Sequence, residues 1–345
     1  MFKKILQMWQ ILNNDIAIDL GSSNTLIHMK GKEGIQLREP SIVALKVEDG
    51  KKSVIAVGED AKKLVGRNPG LIEIYYPIQN GIIVDDAITE LMLRNFMNKI
   101  SDSELLRPNP RIILGVPANS TKVERRIFKE VLTDAGARDV LLVESNFASA
   151  IGANLDVESS KPSMIVNIGS GITEIGVIAL KTPILSNTFN VGGEKLDRAI
   201  IDYIKFNMGI KIGPETAERI KKELSTPLES EAYEKDFIEV RGQAAQTGLP
   251  VKFNVNKKDV LLATSKVYEE IIMSIAQTIE ALPPEVAADL YEAGMTLCGG
   301  VANIKGLAEI IESFTGIKVT VAKNPELCVI NGLEKVVELL NQKGL

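Results

Sequence analysis

Three glycine-bearing stretches hold most of the residues in this sequence that could do chemistry: DIAIDLGSSNT at 15–25, SMIVNIGSGITEIGVIAL at 163–180 and MTLCGGVANIKGL at 295–307. Each begins with an apolar run of strand type. Glycine lets the backbone approach an anion closely, and small polar neighbours donate to phosphate oxygens without steric conflict. In the first stretch Asp19 ends the strand, where its carboxylate would face a magnesium ion through water, because magnesium gives up its hydration shell reluctantly. Taken alone, this segment would be an ordinary hairpin with an Asp in its turn. The second stretch repeats it, strand, glycine turn, strand, about half a chain later, so each copy opens one lobe. The third runs from a strand through Gly299 and Gly300 into a helix, an arrangement in which main-chain N–H groups meet an anion or a nucleotide's base and ribose.

The elements that must position these turns alternate along the chain. DIAIDLG, TLIHMKG, SIVALKV and RIILGVP have the apolar, β-branched character of strands, while Ala87 to Ile100 and Lys122 to Ala135 have helical periodicity. An α/β protein follows. PETAERIKKEL at 214–224 starts with Pro214 at a first helical position and places Glu218, Lys221 and Lys222 on one face, by default a solvated pair. The more polar stretch from Pro227 to Asn256, with Gly242, Gly248 and the strand-like KFNVN, suits a small inserted subdomain.

Composition removes several alternatives. In 345 residues, 45% hydrophobic and 25% charged content is that of a folded globular chain, and a net charge of -5 without a basic run argues against a nucleic-acid partner. Cys298 and Cys328 form no paired spacing, so a reducing cytoplasm is expected, with neither a disulfide framework nor a zinc site. The single histidine, His28, lies in an apparent strand facing solvent or a neighbour, which leaves little room for a Ser-His-Asp arrangement. At the amino terminus, Phe2, Ile5, Leu6, Trp9 and Leu12 share a helical face beside Lys3 and Lys4, fit either for a membrane interface or for packing on the protein's own domain. Gln7 and Gln10 interrupt the run and no small-residue cleavage site follows, against a signal peptide. No stretch of about 18 or more apolar residues occurs, so the chain can lie on a membrane but is not expected to span one.

DLGSSNT, NIGSGITEIGV, VGGEKLDRAI, ERIKKEL and LCGGVANIKGL stand in the order and spacing of the bacterial actin MreB family, and GRNPG at 66–70, NGIIVDD at 80–86 and VPANSTKVERR at 116–126 are similar to it too. The chain resembles that family over nearly its whole length. The resemblance implies an actin-like ATPase fold: two lobes, each on a ribonuclease H-like mixed sheet with a smaller inserted subdomain. Its parts would be an amphipathic segment at 1–13, subdomain IA at 14–40, 74–152 and 328–345, IB at 41–73, IIA at 153–192 and 255–327, and IIB at 193–254. ATP or ADP with Mg2+ would lie in the interlobe cleft. Ser22, Ser23 and Asn24 would hold phosphate from one lobe and Gly169, Ser170 and Gly171 from the other, with Gly192 and Gly193 beside them. Glu218 and Lys221 would contact the nucleoside, and Gly299, Gly300, Val301 and Ala302 would close the adenine side. The resemblance further implies self-assembly into paired protofilaments, with possible co-polymers of paralogues, peripheral on the inner face of the cytoplasmic membrane. Leu105 and Leu106, with Arg107 and Arg111, match the family's membrane loop, and the segment bearing Phe2 and Trp9 its terminal helix.

Three departures concern hydrolysis. The family reads Asp-Ile-Gly-Gly-Gly-Thr-Thr-Asp where this chain has Asn167 to Glu174, so Asn167 replaces an acid and Ile172 a threonine. The glutamate that would position the attacking water is replaced by Ser145, and neighbouring Glu144 should point elsewhere. A nucleotide-binding filament subunit with weakened hydrolysis is expected. The alternatives are a non-polymerising actin-like adaptor and a sugar-kinase-type phosphotransferase, for which Asp85 or Asp86 would have to serve as base.

Overall fold

A computed structural model describes residues 15–48, 51–67, 70–100, 109–229 and 235–342. The chain forms two compact units, Met1–Leu155 with Leu327–Leu345, and Asp156–Glu326. In the first, β1 (Asp15–Leu20), β2 (Asn24–Met29) and β3 (Leu37–Pro40) form an antiparallel meander. A side sheet follows, of β4 (Val43–Glu48), β5 (Lys51–Val57) and β6 (Ile72–Tyr75), then a short hairpin of β7 (Ile78–Gln79) and β8 (Ile82–Ile83). Strands β9 (Arg111–Val116) and β10 (Asp139–Glu144) then add in parallel to β1, completing the order β10-β9-β1-β2-β3.

The second unit repeats the plan of the main sheet. Its meander is β11 (Ser163–Ile168), β12 (Thr173–Ala179) and β13 (Thr182–Phe189), and its side sheet is β14 (Ile210–Lys211), β15 (Phe237–Ala244) and β16 (Pro250–Asn256). Strands β17 (Met295–Cys298) and β18 (Val319–Val321) extend the main sheet in parallel, giving β13-β12-β11-β17-β18. The expected α/β class and the two sheet-built lobes are present.

Alternation along β1 divides the first core. Ile16, Ile18 and Leu20 pack with Met92, Phe96, Phe128 and Leu132 from helices Asp86–Ile100 and Lys122–Asp134. Ala17 faces the other way, against Ala148, Val329, Ile330 and Leu333 of helices Ser145–Gly152 and Cys328–Gln342. The start of the Lys122–Asp134 helix is set by a capping box between Thr121 and Glu124. Asp85 accepts from the Ile88 N–H and so caps the Asp86–Ile100 helix, a structural task rather than that of a kinase base. His28 is buried, its Nδ1 2.7 Å from the Gly34 carbonyl and its Nε2 3.4 Å from Glu334, so it faces neighbours and not solvent.

The two rear helices touch through their backbones. A Cβ on Gly152 would lie 1.8 Å from the Cys328 carbonyl oxygen, and one on Gly332 would lie 1.8 Å from that of Ala148. Lys335 fastens the same pair by donating to the Ile151 carbonyl (2.9 Å) and to Asn154 (2.6 Å). Alanine normally improves a helix interior by roughly 1 kcal/mol over glycine. At Gly332 the sign reverses, because the helices must part: Gly332→Ala is expected to lose about 2–4 kcal/mol in denaturant unfolding.

Candidate functional site

The first glycine turn is held by its own backbone and from behind. The Gly21 N–H donates to the Asn24 carbonyl at 3.1 Å, and a Cβ on Gly21 would fall 2.8 Å from that oxygen. Ser41 braces the turn: its N–H donates to the Ser23 carbonyl (3.0 Å), its hydroxyl to the Gly21 carbonyl (2.6 Å), and it lies 2.9 Å from the Thr25 hydroxyl. Ser22 is buried and accepts from the Gly81 N–H, while Ser23 is exposed. The turn thus presents Ser23 outward and fixes Ser22 inward.

Asp19 lies on the Ala17 face of β1, opposite Gly115 of β9. A Cβ on Gly115 would come within 3.4 Å of the Ser145 hydroxyl, so strand ends and the first turn of the Ser145–Gly152 helix converge there. Burial pushes the Asp19 carboxyl up to about 7. Ser145 is buried, and its short side chain carries no charge. Glu144, which ends β10, instead pairs with Arg125 at 3.4 Å.

The second turn has the same wiring. The Gly169 N–H donates to the Ile172 carbonyl at 2.9 Å, as Gly21 does to Asn24, and the strand registers match, Ile168 opposite Thr173 as Leu20 is opposite Thr25. Asn167 therefore occupies the place of Asp19; its amide donates to Glu174 at 3.4 Å. Ile172 is buried and joins the turn through its carbonyl, with no hydroxyl to offer. Helix Gly193–Asn207 braces this turn: the Gly193 N–H donates to the Gly169 carbonyl (3.0 Å) and the Glu194 N–H to that of Ser170 (2.9 Å). A Cβ on Gly192 would sit 2.5 Å from the Ser170 carbonyl oxygen.

Beside it, Gly299 has φ 84°, and a Cβ there would lie 2.3 Å from the Ile168 carbonyl oxygen and 2.6 Å from Asn167 Oδ1. The expected direct passage into a helix is corrected: Gly300–Asn303 is a 3-10 turn holding buried Val301 and Ala302, and the helix restarts at Leu307 after left-handed Gly306. Left-handed glycines on both sides break the helical path. On helix Pro214–Leu224 the predicted trio separates: Lys222 pairs with half-buried Glu218 at 2.6 Å, whereas Lys221 turns inward to Asp197 at 2.6 Å.

The structure thus gathers Gly169, Ser170, Gly171, Gly192, Gly193, Lys221, Gly299, Gly300, Val301 and Ala302 in the second unit, and Asp19, Ser22, Ser23, Asn24 and Ser145 in the first. The membrane candidates Phe2, Trp9, Leu105 and Leu106 lie outside the described residues. Sequence reasoning passed over Ser41, Gly115 and Asp197. Only Asp197 left a signal, four residues after Gly193 and so one helical turn on; Ser41 and Gly115 act across distant segments.

The turns fit a phosphate chain: each is built of small residues, Gly21, Ser22 and Ser23 in the first and Gly169, Ser170 and Gly171 in the second. A magnesium ion here would meet one carboxylate, Asp19, a donor set that suits an ion keeping most of its water. No cluster of three or more metal-ligating side chains occurs among the described residues.

The raised Asp19 pKa fixes a sign. Between the ordinary value of 3.8 and about 7, folded protein holds a proton that unfolded chain has lost, so stability falls as pH rises through that window. Asp19→Asn removes the slope. In nucleotide-free protein melted at pH 8 it is expected to gain on the order of 3 kcal/mol, and at pH 4 almost nothing.

The model of the MreB/Mbl protein family matches residues 13–344. The chain is 41% identical over 346 residues to the cell shape-determining protein MreB of Escherichia coli strain K12, covering 100% of this chain and 98% of that protein. It is 39% identical over 318 residues to the cell shape-determining protein Mbl of Bacillus subtilis strain 168, covering 92% and 94%. The crystal structure of MreB5 of Spiroplasma citri bound to ADP has a TM-score of 0.89 at 26% identity, covering 96% and 98% of the two chains. Its AMPPNP-bound form gives 0.88 at 27%, covering 96% and 99%. A MamK double helical filament, at 21% identity and TM-score 0.75 over 94% and 99%, shares the fold. With the family matched from residue 13 to 344 and the actin-like two-lobed fold in place, this chain belongs to the MreB/Mbl family.

Proposed function

We propose that the chain is a cytoskeletal subunit acting in cell shape, which binds ATP or ADP with Mg2+, assembles into filaments at the inner face of the membrane and hydrolyses its nucleotide slowly. Its relatives carry the name cell shape-determining protein, and MreB5 has been crystallised with ADP and with AMPPNP. Peripheral attachment accords with the absence, among the described residues, of any helix long and apolar enough to cross a membrane. The terminal segment with Phe2 and Trp9 and the loop with Leu105 and Leu106 are the proposed contacts. Burial of two leucines is weak, so attachment depends on many subunits acting together.

One observation carries the reading: the two turns share the same hydrogen-bond wiring, yet only one keeps its acid. Main-chain groups of Ser22 to Asn24 and of Gly169 to Gly171 bind phosphates. Bound magnesium would neutralise negative charge on them, held through water by Asp19. Ser145 cannot take a proton from water as a glutamate does, and Ile172 cannot orient water through a hydroxyl. Asn167 accepts and donates hydrogen bonds but brings no charge. Losing a water-orienting group slows phosphoryl transfer by about two or more powers of ten, with less effect on binding.

Phosphate release from purified protein should run at least about a hundredfold below that of E. coli MreB under the same conditions. Ser145→Glu with Ile172→Thr should raise it at least tenfold; an unmodified chain matching MreB would overturn weak hydrolysis. Sedimentation with ATP and with a non-hydrolysable analogue should yield pellets above a critical concentration in both. Soluble chain at all concentrations would overturn the filament reading.

A further inference from the structure

Lys221 and Asp197 form an ion pair at 2.6 Å whose side chains keep only 13% and 20% of their exposure. An ammonium has three N–H donors. Two of those on Lys221 are engaged inside the protein, one by Asp197 Oδ2 and one by the Gly193 carbonyl at 3.1 Å. That carbonyl belongs to the residue whose N–H braces the second phosphate turn through Gly169. A Cβ on Gly193 would lie 3.3 Å from Lys221 Nζ, 3.3 Å from Val301 Cγ2 and 3.7 Å from the Gly169 carbonyl oxygen, so these three groups crowd one point. The ammonium thus stands where the phosphate turn meets the Gly299–Ala302 segment.

The charge on Lys221 is matched at contact distance. Burial pushes the Asp197 carboxyl up, the charge of Lys221 draws it back down, and Glu218 and Glu194 add further negative field. The other oxygen, Asp197 Oδ1, is buried and accepts no hydrogen bond. A cation and an anion this close leave only a dipole a few ångströms away, so the third donor of Lys221 is directional but carries little net attraction. Such a donor suits an uncharged acceptor, a sugar oxygen or a ring nitrogen, whereas phosphate is drawn to an unmatched cation. The carboxylate is an expensive way to anchor a lysine unless its neutralising effect matters.

We propose that Asp197 is a positioning residue that holds Lys221 as a charge-matched hydrogen-bond donor, so that this site selects the nucleoside part of its ligand and not merely the phosphates. This rests on the reading of the chain as a nucleotide-binding protein. A purely structural ion pair would change stability and leave ligand preference alone.

The test uses the full chain, with Mg2+, titrated calorimetrically with ATP and with inorganic tripolyphosphate at two salt concentrations. Asp197→Asn should weaken ATP about tenfold while strengthening tripolyphosphate and its salt dependence, since Lys221 becomes an unmatched cation. Asp197→Glu should keep the wild-type preference, and adding Asp197→Asn to Lys221→Met should change the ATP affinity no further. An unchanged ratio of the two affinities in Asp197→Asn, or an equal loss in the Lys221→Met background, overturns the proposal. If Asp197→Asn does not fold, Lys221→Met decides: loss for ATP alone supports it, and equal loss for both ligands overturns it. Wild-type chain that binds no ATP overturns the nucleotide reading itself.

Discussion

Main-chain atoms meet main-chain atoms at the points on which this molecule depends, and they do so only where a side chain is missing. Gly152 and Gly332 let two helices touch behind the first sheet, and Gly21, Gly192 and Gly299 let turns fold onto carbonyl oxygens. Cores elsewhere tolerate exchange of one apolar residue for another of similar volume. These contacts tolerate no added atom. The apolar clusters supply bulk stability, while the glycine contacts decide where the strand ends and helix starts stand relative to each other within each unit.

Duplication lets backbone wiring and side-chain chemistry vary separately. Each unit carries a meander plus two parallel strands, and each meander's first turn closes with the same N–H to carbonyl bond, Gly21 to Asn24 and Gly169 to Ile172. That bond belongs to the backbone and is indifferent to neighbouring side chains. Asp19 and Asn167 then occupy equivalent ends of equivalent strands, one a carboxylate raised in pKa by burial, the other an amide tied to Glu174. The scaffold is preserved while the electrostatics of the two copies differ.

Strands such as DIAIDLG, TLIHMKG and RIILGVP, both turns and the strand-to-turn passage at Gly299 were legible in the sequence because each is local: an apolar run, a period, a glycine at the right offset. Lys221 was legible as a candidate, but not its direction; helical spacing put it with Glu218, and burial took it to Asp197 instead. The helix expected after Gly300 was misplaced because left-handed Gly306, not the apolar pattern, decides where it begins. Ser41 and the Gly152–Gly332 contact were silent. Each joins segments far apart in the chain, and neither residue type nor periodicity marks a partner that only the folded topology brings near.

That long separation has a consequence for how the protein is made. The second unit is one continuous segment, Asp156 to Glu326, whereas the first needs the carboxy-terminal helix to cover the Ala17 and Ile113 side of its sheet. Synthesis delivers the first unit's strands before the second unit, and that helix only after it. On the ribosome, the middle of the chain therefore has all its strands while the rear face of the older unit still lies bare. Until Gly332 arrives against Ala148 that apolar face stays open to quality control, and a chain truncated before this helix leaves it so.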